Sequence, residues 1–330
     1  MNMSIGRLEH GKRNLITDVP GVRVGHTTID REDCHTGVTV VMPPSPNPFT
    51  DKLTAASCVF NGFGKTLGLV QVDELGTLET PIVLTNTLNV GKVHDAMVSY
   101  MIDLCRKDGI KLTSVNPVVC ECNDSHISDI AKRPIGEAEV FAAIESASED
   151  FAQGAVGAGR GTICYGMKGG IGSSSRLIRL DGKTYTIGVL VQSNYGASAD
   201  FRDAALPPDL AESDKGSIIL ILATDLPLSA RQLKRVLRRT SVGMARLGSY
   251  IGHGSGEIAV GFTTAQLQPT GTSFLTQTVL REEYMNLPFR AAGECAEEAI
   301  LQSMWNSDAE TALDGSRIPS LKEYLKEKRS

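Results

Sequence analysis

The segment Ser217-Ile218-Ile219-Leu220-Ile221-Leu222-Ala223-Thr224 restricts the fold more than any other part of this chain. Its apolar residues are consecutive rather than alternating, and isoleucine is frequent, so it reads as a central strand buried on both faces. Such a strand needs cover on each side, and the flanking sequence supplies alternating strand and helix signals. Gly21–Gly25, Gly37–Met42, Pro81–Thr85, Thr184–Gln192 and Glu257–Thr264 read as further strands. Helices are expected over Lys92–Arg106, where Val93, Met97, Met101 and Leu104 recur at helical spacing, and over Gly136–Phe151 and Pro288–Trp305. Ser229 and Gln232 have capping-box spacing and open a basic helix running to about Leu247. Pro43–Pro48 and Asn194–Ser213 read as loops, Gly248–Gly256 as a glycine-rich turn and Leu321–Ser330 as a weakly helical tail. No internal repeat or dividing linker is visible, so one layered α/β domain over residues 1–330 is expected.

Charge and composition exclude several classes of function. Lys and Arg number 33 against 38 Asp and Glu, a net charge of −5, which lacks the basic footprint of a nucleic-acid binder. No segment approaches the roughly 18 apolar residues of a membrane span, and the first residues carry no apolar signal region, so a cytoplasmic protein is expected. Seven scattered cysteines fit reduced, partly buried thiols. Cys120 and Cys122 form a CxC pair with no second pair at ligand spacing, so no metal site is expected. Glycine is abundant, 33 residues of 330, while aromatics make up only 5%, a balance that favours tight turns and close backbone contacts.

Three glycine-rich stretches imitate known motifs. Gly62-Phe63-Gly64-Lys65-Thr66 lacks the glycine a phosphate-binding loop needs, because Val59 stands there. Gly154-Ala155-Val156-Gly157-Ala158-Gly159 and Lys168-Gly169-Gly170-Ile171-Gly172 have the wrong spacing for a dinucleotide fingerprint and read as a loop folded tightly against other backbone. His253-Gly254-Ser255-Gly256-Glu257 sets a serine between adjacent glycines at the start of a strand, not in GxSxG. The last of the six histidines is His253, so the Ser-acid-His order of α/β-hydrolases is excluded by counting.

A serine without a histidine partner can still act if it supplies its own base. Cleavage of the Gly254–Ser255 bond would leave Ser255 with a free α-amine, whose reference pKa of about 8 leaves a useful fraction unprotonated near neutral pH. A glycine before the serine does not hinder attack and tolerates a strained dihedral. By itself, however, the signal is weak, because Gly-Ser-Gly before a strand is usually just a turn.

At this serine the chain resembles the DmpA-like L-aminopeptidase/D-amidase-esterases, which include the β-peptidyl aminopeptidases. The resemblance covers nearly the whole chain, in six ordered blocks: Ile16–Thr27, Leu78–Thr87, Gly157–Gly172, Val189–Gly196, Ala223–Leu228 and Gly254–Gly256. It implies a four-layer αββα sandwich like that of N-terminal nucleophile hydrolases with different connectivity. It also implies self-cleavage into an α subunit of residues 1–254 and a β subunit of residues 255–330, and an acyl-enzyme on Ser255. Asn194 resembles an oxyanion donor, and the opposing reading is a turn residue before Tyr195-Gly196. Glu297 and Glu298 resemble acidic positions that support the nucleophile or bind substrate, although Cys295 and Ala296 stand where relatives often carry a hydroxyl. Glu121, Asn123 and Asp124 form a polar cluster suited to a substrate amine, with an Asx-type turn as the alternative, favoured for Asp124. The implied partners are short peptides, amides or esters, hydrolysed without a metal or organic cofactor, and a homo-oligomer of αβ units is expected. Acyl transfer on a similar fold and a non-catalytic, unprocessed binding protein are the alternatives.

Overall fold

The computed structural model describes residues 5–202 and 215–327. Part of the predicted loop over Asn194–Ser213, the ends of the predicted domain and the last residues of the tail therefore lie outside the described residues. The first half of the chain forms β1 (Arg23–Arg31), β2 (Cys34–Met42), β3 (Asp51–Gly62), α1 (Leu69–Leu75), β4 (Thr77–Leu78), β5 (Ile82–Asn86), α2 (Val90–Lys107), β6 (Val118–Cys122) and α3 (Glu137–Glu145). The second half forms β7 (Ile163–Cys164), β8 (Met167–Lys168), β9 (Gly170–Leu180), β10 (Lys183–Asn194), β11 (Lys215–Thr224), α4 (Ala230–Leu237), α5 (Thr240–Arg246), β12 (Gly254–Pro269) and α6 (Asn286–Trp305). The short β13 (Glu310–Thr311), β14 (Arg317–Ile318) and α7 (Leu321–Glu327) close the chain.

Two sheets result, a four-stranded one in the order β1-β2-β5-β6 and a six-stranded one in the order β4-β3-β12-β11-β10-β9. The run from Ser217 lies in β11, between β10 and β12, as its uninterrupted apolar sequence requires. Its side chains divide between two cores. Ile219, Ile221 and Ala223 meet Val41, Ile82, Leu84 and Val118 of the other sheet, whereas Ile218, Leu220 and Leu222 meet Leu233, Val236, Ala292 and Ile300 of α4 and α6. Helices α2 and α3 cover the outer face of the smaller sheet through Val93, Met97, Val140 and Ala143. The layers are therefore α, β, β, α, as expected from the resemblance.

The departures from the sequence reading have local causes. The predicted basic helix over Ser229–Leu247 is two helices, because α4 packs on β3 and β12 while α5 packs on α6. Its capping box is present: the Ser229 hydroxyl accepts from Gln232 N at 3.3 Å and Gln232 Oε1 accepts from Ser229 N at 3.1 Å. Helix α3 stops at Glu145 because Ser148 turns to exchange hydrogen bonds of 3.0 Å with Val24. The twelve-residue β3 went unread, since its small residues Ala55, Ala56, Ser57 and Cys58 give little periodic signal. Of the two glycine stretches expected to form a tight loop, Lys168–Gly172 runs from Gly170 into strand β9. Its glycines still serve close contact: a Cβ on Gly172 would lie 2.0 Å from the Ala299 carbonyl of α6. All seven cysteines are buried, and none is in a disulfide. Burial pushes the Cys120 thiol up to about 12, which opposes the thiolate a metal would need.

One titration in this frame carries a testable consequence. His26 of β1 donates from Nε2 to the Ala152 carbonyl at 3.1 Å, while its Nδ1 lies 2.9 Å from the Thr39 hydroxyl. Burial lowers its pKa from 6.5 to about 4. Between these values the unfolded chain binds more protons than the folded one, so stability falls as pH drops from 6.5 towards 4. The urea midpoint of the protein should fall across that window, and His26→Gln should flatten the slope. An unaltered slope in the variant would assign the pH dependence to other groups.

Candidate active site

Ser255 is the second residue of β12, next to β11, with Gly216 paired to Ser255 and Lys215 to Gly254 in parallel register. On β12, Ile258, Val260 and Phe262 face the layer between the sheets, and Ala259 faces the helices. Strand alternation gives Ser255 the parity of Ala259. The serine is fully buried, and its Oγ has no hydrogen-bond partner among the described residues. Buried polar groups are ordinarily hydrogen-bonded, so this hydroxyl calls for an explanation. Gly256 after it is required by packing, because a Cβ there would lie 2.4 Å from the Phe63 carbonyl.

One residue before the serine, Gly254 lines a cavity of about 510 Å3. The cavity is shared with Glu121 and Asn123 from the end of β6 and with Asn194 from the end of β10. Four positions chosen from sequence thus converge, though they are far apart in the chain. Asn194 Oδ1 accepts from the Ile163 backbone at 3.0 Å, which fixes the amide orientation and leaves its NH2 end to donate. Glu121 is almost fully buried; Oε1 accepts from Lys65 N at 2.9 Å and Oε2 accepts from the Thr87 hydroxyl. A carboxylate fixed in this way and still bordering a cavity can bind a substrate cation. Asn123 Oδ1 accepts from Ser125 N at 3.0 Å, the predicted Asx turn, with its side chain at the cavity.

Asp124 does not line the cavity. It is buried, accepting from Thr36 Oγ1 at 2.5 Å and from Asn86 Nδ2 at 3.1 Å, and burial raises its pKa to about 6. Its backbone carbonyl accepts from Ile127 and Ser128 in a turn, but the carboxylate is engaged by Thr36 and Asn86 and does not close that turn as an Asx turn would. Glu297 and Glu298 do not line the cavity. Both sit on α6, where Arg202 and Arg246 hold Glu297 at 2.8 and 3.1 Å, and fully buried Arg176 holds Glu298 at 2.7 Å. Guanidinium partners claim these carboxylates, and Glu297 thereby ties α6 to the helix preceding the Gly248–Gly254 turn.

The sequence reading missed several cavity residues: Phe63, Lys65, Thr87, His126, Ile163 and Lys215. Two of them belong to the Gly62–Thr66 stretch dismissed as a failed phosphate loop. Its glycines were a real signal, of backbone passing close to Gly256. Just before it, Asn61 on β3 donates from Nδ2 to the carbonyls of Gly252 at 3.0 Å and His253 at 3.1 Å, and also to that of Ser255.

Comparison with known proteins gives this geometry its class. The structure of the L-aminopeptidase D-Ala-esterase/amidase from Ochrobactrum anthropi, titled a prototype of the serine aminopeptidases with a variant Ntn-hydrolase fold, superposes with a TM-score of 0.89. That match has 32% identity and covers 97% of this chain and 94% of the other. A Burkholderia β-aminopeptidase matches with a TM-score of 0.89 and 34% identity over 98% and 97% of the two chains. The class is therefore that of serine hydrolases acting on peptide and amide bonds with an Ntn-type fold. The model of peptidase family S58 matches residues 14–318, and the chain belongs to that family. The β-peptidyl aminopeptidase BapA of Sphingosinicella xenopeptidilytica is 35% identical, over 93% of this chain and 84% of the relative. The acyltransferase and non-catalytic alternatives are not favoured by these relatives.

Proposed function

We propose that the chain cuts itself between Gly254 and Ser255 and that Ser255 then acts as an N-terminal nucleophile, releasing the first residue of short peptides, amides or esters. The observation that carries this reading is the convergence of Gly254, Glu121, Asn123 and Asn194 on one cavity. The burial of Ser255 agrees with an uncut chain that is inactive until the bond opens. After the cut, the new α-amine removes the hydroxyl proton as oxygen attacks the substrate carbonyl. The Asn194 amide donates to the oxyanion, Glu121 holds the substrate's own ammonium with Asn123 beside it, and water releases the acyl group from Ser255. No step in this sequence calls on a metal or organic cofactor. We place the enzyme in the cytoplasm as a homo-oligomer of αβ units, as the family resemblance suggests; among the described residues no helix is long and apolar enough to cross a membrane. Relatives named β-peptidyl aminopeptidases and an L-aminopeptidase make β-residue and L-residue amides the first substrates to assay.

Intact-mass analysis of the purified protein tests the reading. Two chains corresponding to residues 1–254 and 255–330 are expected, and a single active chain would overturn it. A second measurement addresses Glu121. Glu121→Gln removes the charge but keeps the shape, and KM for amine-bearing substrates should rise about tenfold to a hundredfold, the worth of a charge-assisted hydrogen bond. A substrate lacking the amine should be turned over equally by both proteins. An unchanged KM for the amine substrate would remove Glu121 from recognition.

A further inference from the structure

The segment leading to Ser255 is bent in a way its sequence alone would not hold. Ile251, a β-branched residue, has φ +60°, an outlying conformation for its type. The chain then turns so that Ser255 N donates to the Gly252 carbonyl at 3.1 Å. Over this turn lies Asn61, whose amide meets the carbonyls of Gly252, His253 and Ser255. A bulge brings it there: Asn61 pairs with Glu257 and Val59 with Ile258, which leaves Phe60 as an extra residue on β3. Bulges commonly re-aim a side chain beside an active site.

We propose that Asn61 is the positioning residue for the self-cleavage step, an inference that rests on the function proposed above. The three carbonyls it meets belong to the two peptide planes before the scissile bond and the one after it. The Gly254 carbonyl, whose carbon is attacked, is not among its acceptors. The clamp thus fixes the flanking planes and leaves the scissile plane to tilt towards the Ser255 hydroxyl. In the step itself Ser255 Oγ bonds to the Gly254 carbonyl carbon and the Gly254 C–Ser255 N bond breaks. The hydroxyl proton passes to the departing nitrogen, which already faces the Gly252 carbonyl. Water then hydrolyses the resulting ester, giving the Gly254 carboxylate and restoring the Ser255 hydroxyl.

The test follows cleavage of the full chain made by cell-free translation, read as intact mass against time. The unaltered chain should split at Gly254–Ser255, and Asn61→Ala should slow this about a hundredfold, the scale expected when reacting groups are misplaced by about an ångström. Thermal melting establishes that the uncut variant is folded. A second variant separates positioning from packing: Asn61→Asp has the same shape but, when ionised, no donor. Its cleavage should be slow at pH 8 and recover towards pH 5 as the carboxyl gains a proton to donate, while Asn61→Ala stays slow at both. Splitting of Asn61→Ala at the unaltered rate, or of Asn61→Asp with no pH dependence, would overturn the role of Asn61 and leave the self-cleavage reading standing. An unaltered chain that stays whole while active would overturn that reading, and this one with it.

Discussion

Ser255→Ala should remain one chain of 330 residues and lose turnover by about a million-fold, the usual cost of deleting a serine nucleophile. Both effects have one cause. The hydroxyl is needed first to attack the Gly254 carbonyl and afterwards to attack the substrate, and alanine offers no atom for either. The substitution removes a single oxygen that is buried without a hydrogen-bond partner among the described residues, so folding should be preserved. A melting temperature at or above that of the unaltered protein would show this, because an unsatisfied buried hydroxyl costs stability. Two fragments from the variant, seen on a denaturing gel, would mean that the cut lies elsewhere or is made by another protease.

Asn194→Ala should lower kcat by about a hundredfold or more and leave KM nearly unchanged, as the loss of one oxyanion donor does. The reason is that its NH2 would be drawn on only when charge develops on the carbonyl oxygen, so ground-state binding is barely affected. The same side chain accepts the Ile163 backbone N–H at 3.0 Å, and its removal leaves that donor short of a partner. Some stability should therefore be lost as well, about 1–3 kcal/mol. The kinetic comparison belongs at a temperature where the variant is fully folded. A normal kcat there would remove Asn194 from the mechanism.

Much of the architecture was legible because it is written in local patterns. The apolar run of β11, the helical spacing of Val93, Met97 and Met101, and the capping box of Ser229 and Gln232 each depend on neighbours a few residues away. Strand β3 was not legible, because Ala55, Ala56 and Ser57 are small enough to suit several environments and only pairing with β12 makes them strand. The split of α4 from α5 was hidden for a similar reason: nothing in the sequence says that the two halves pack on different partners. At the site, Ser255, Asn194 and Glu121 could be chosen from their chemistry and from ordered blocks of resemblance. The ion pairs of Glu297 and Glu298 were not legible, since their guanidinium partners Arg202, Arg246 and Arg176 lie 50 or more residues away in the chain.

The sequence by itself determined the layered α/β class and excluded the Ser-acid-His order of α/β-hydrolases for Ser255, because these follow from order, spacing and side-chain chemistry; Ser255 stood out as the nucleophile candidate only through the ordered blocks of resemblance. Only the tertiary structure decided which polar residues share a cavity with Gly254 and which are consumed by ion pairs. It also brought Asn61 over the turn that precedes Ser255. Side-chain chemistry is fixed residue by residue, whereas electrostatic pairing and backbone approach depend on chain segments that meet only when the sheets close on each other.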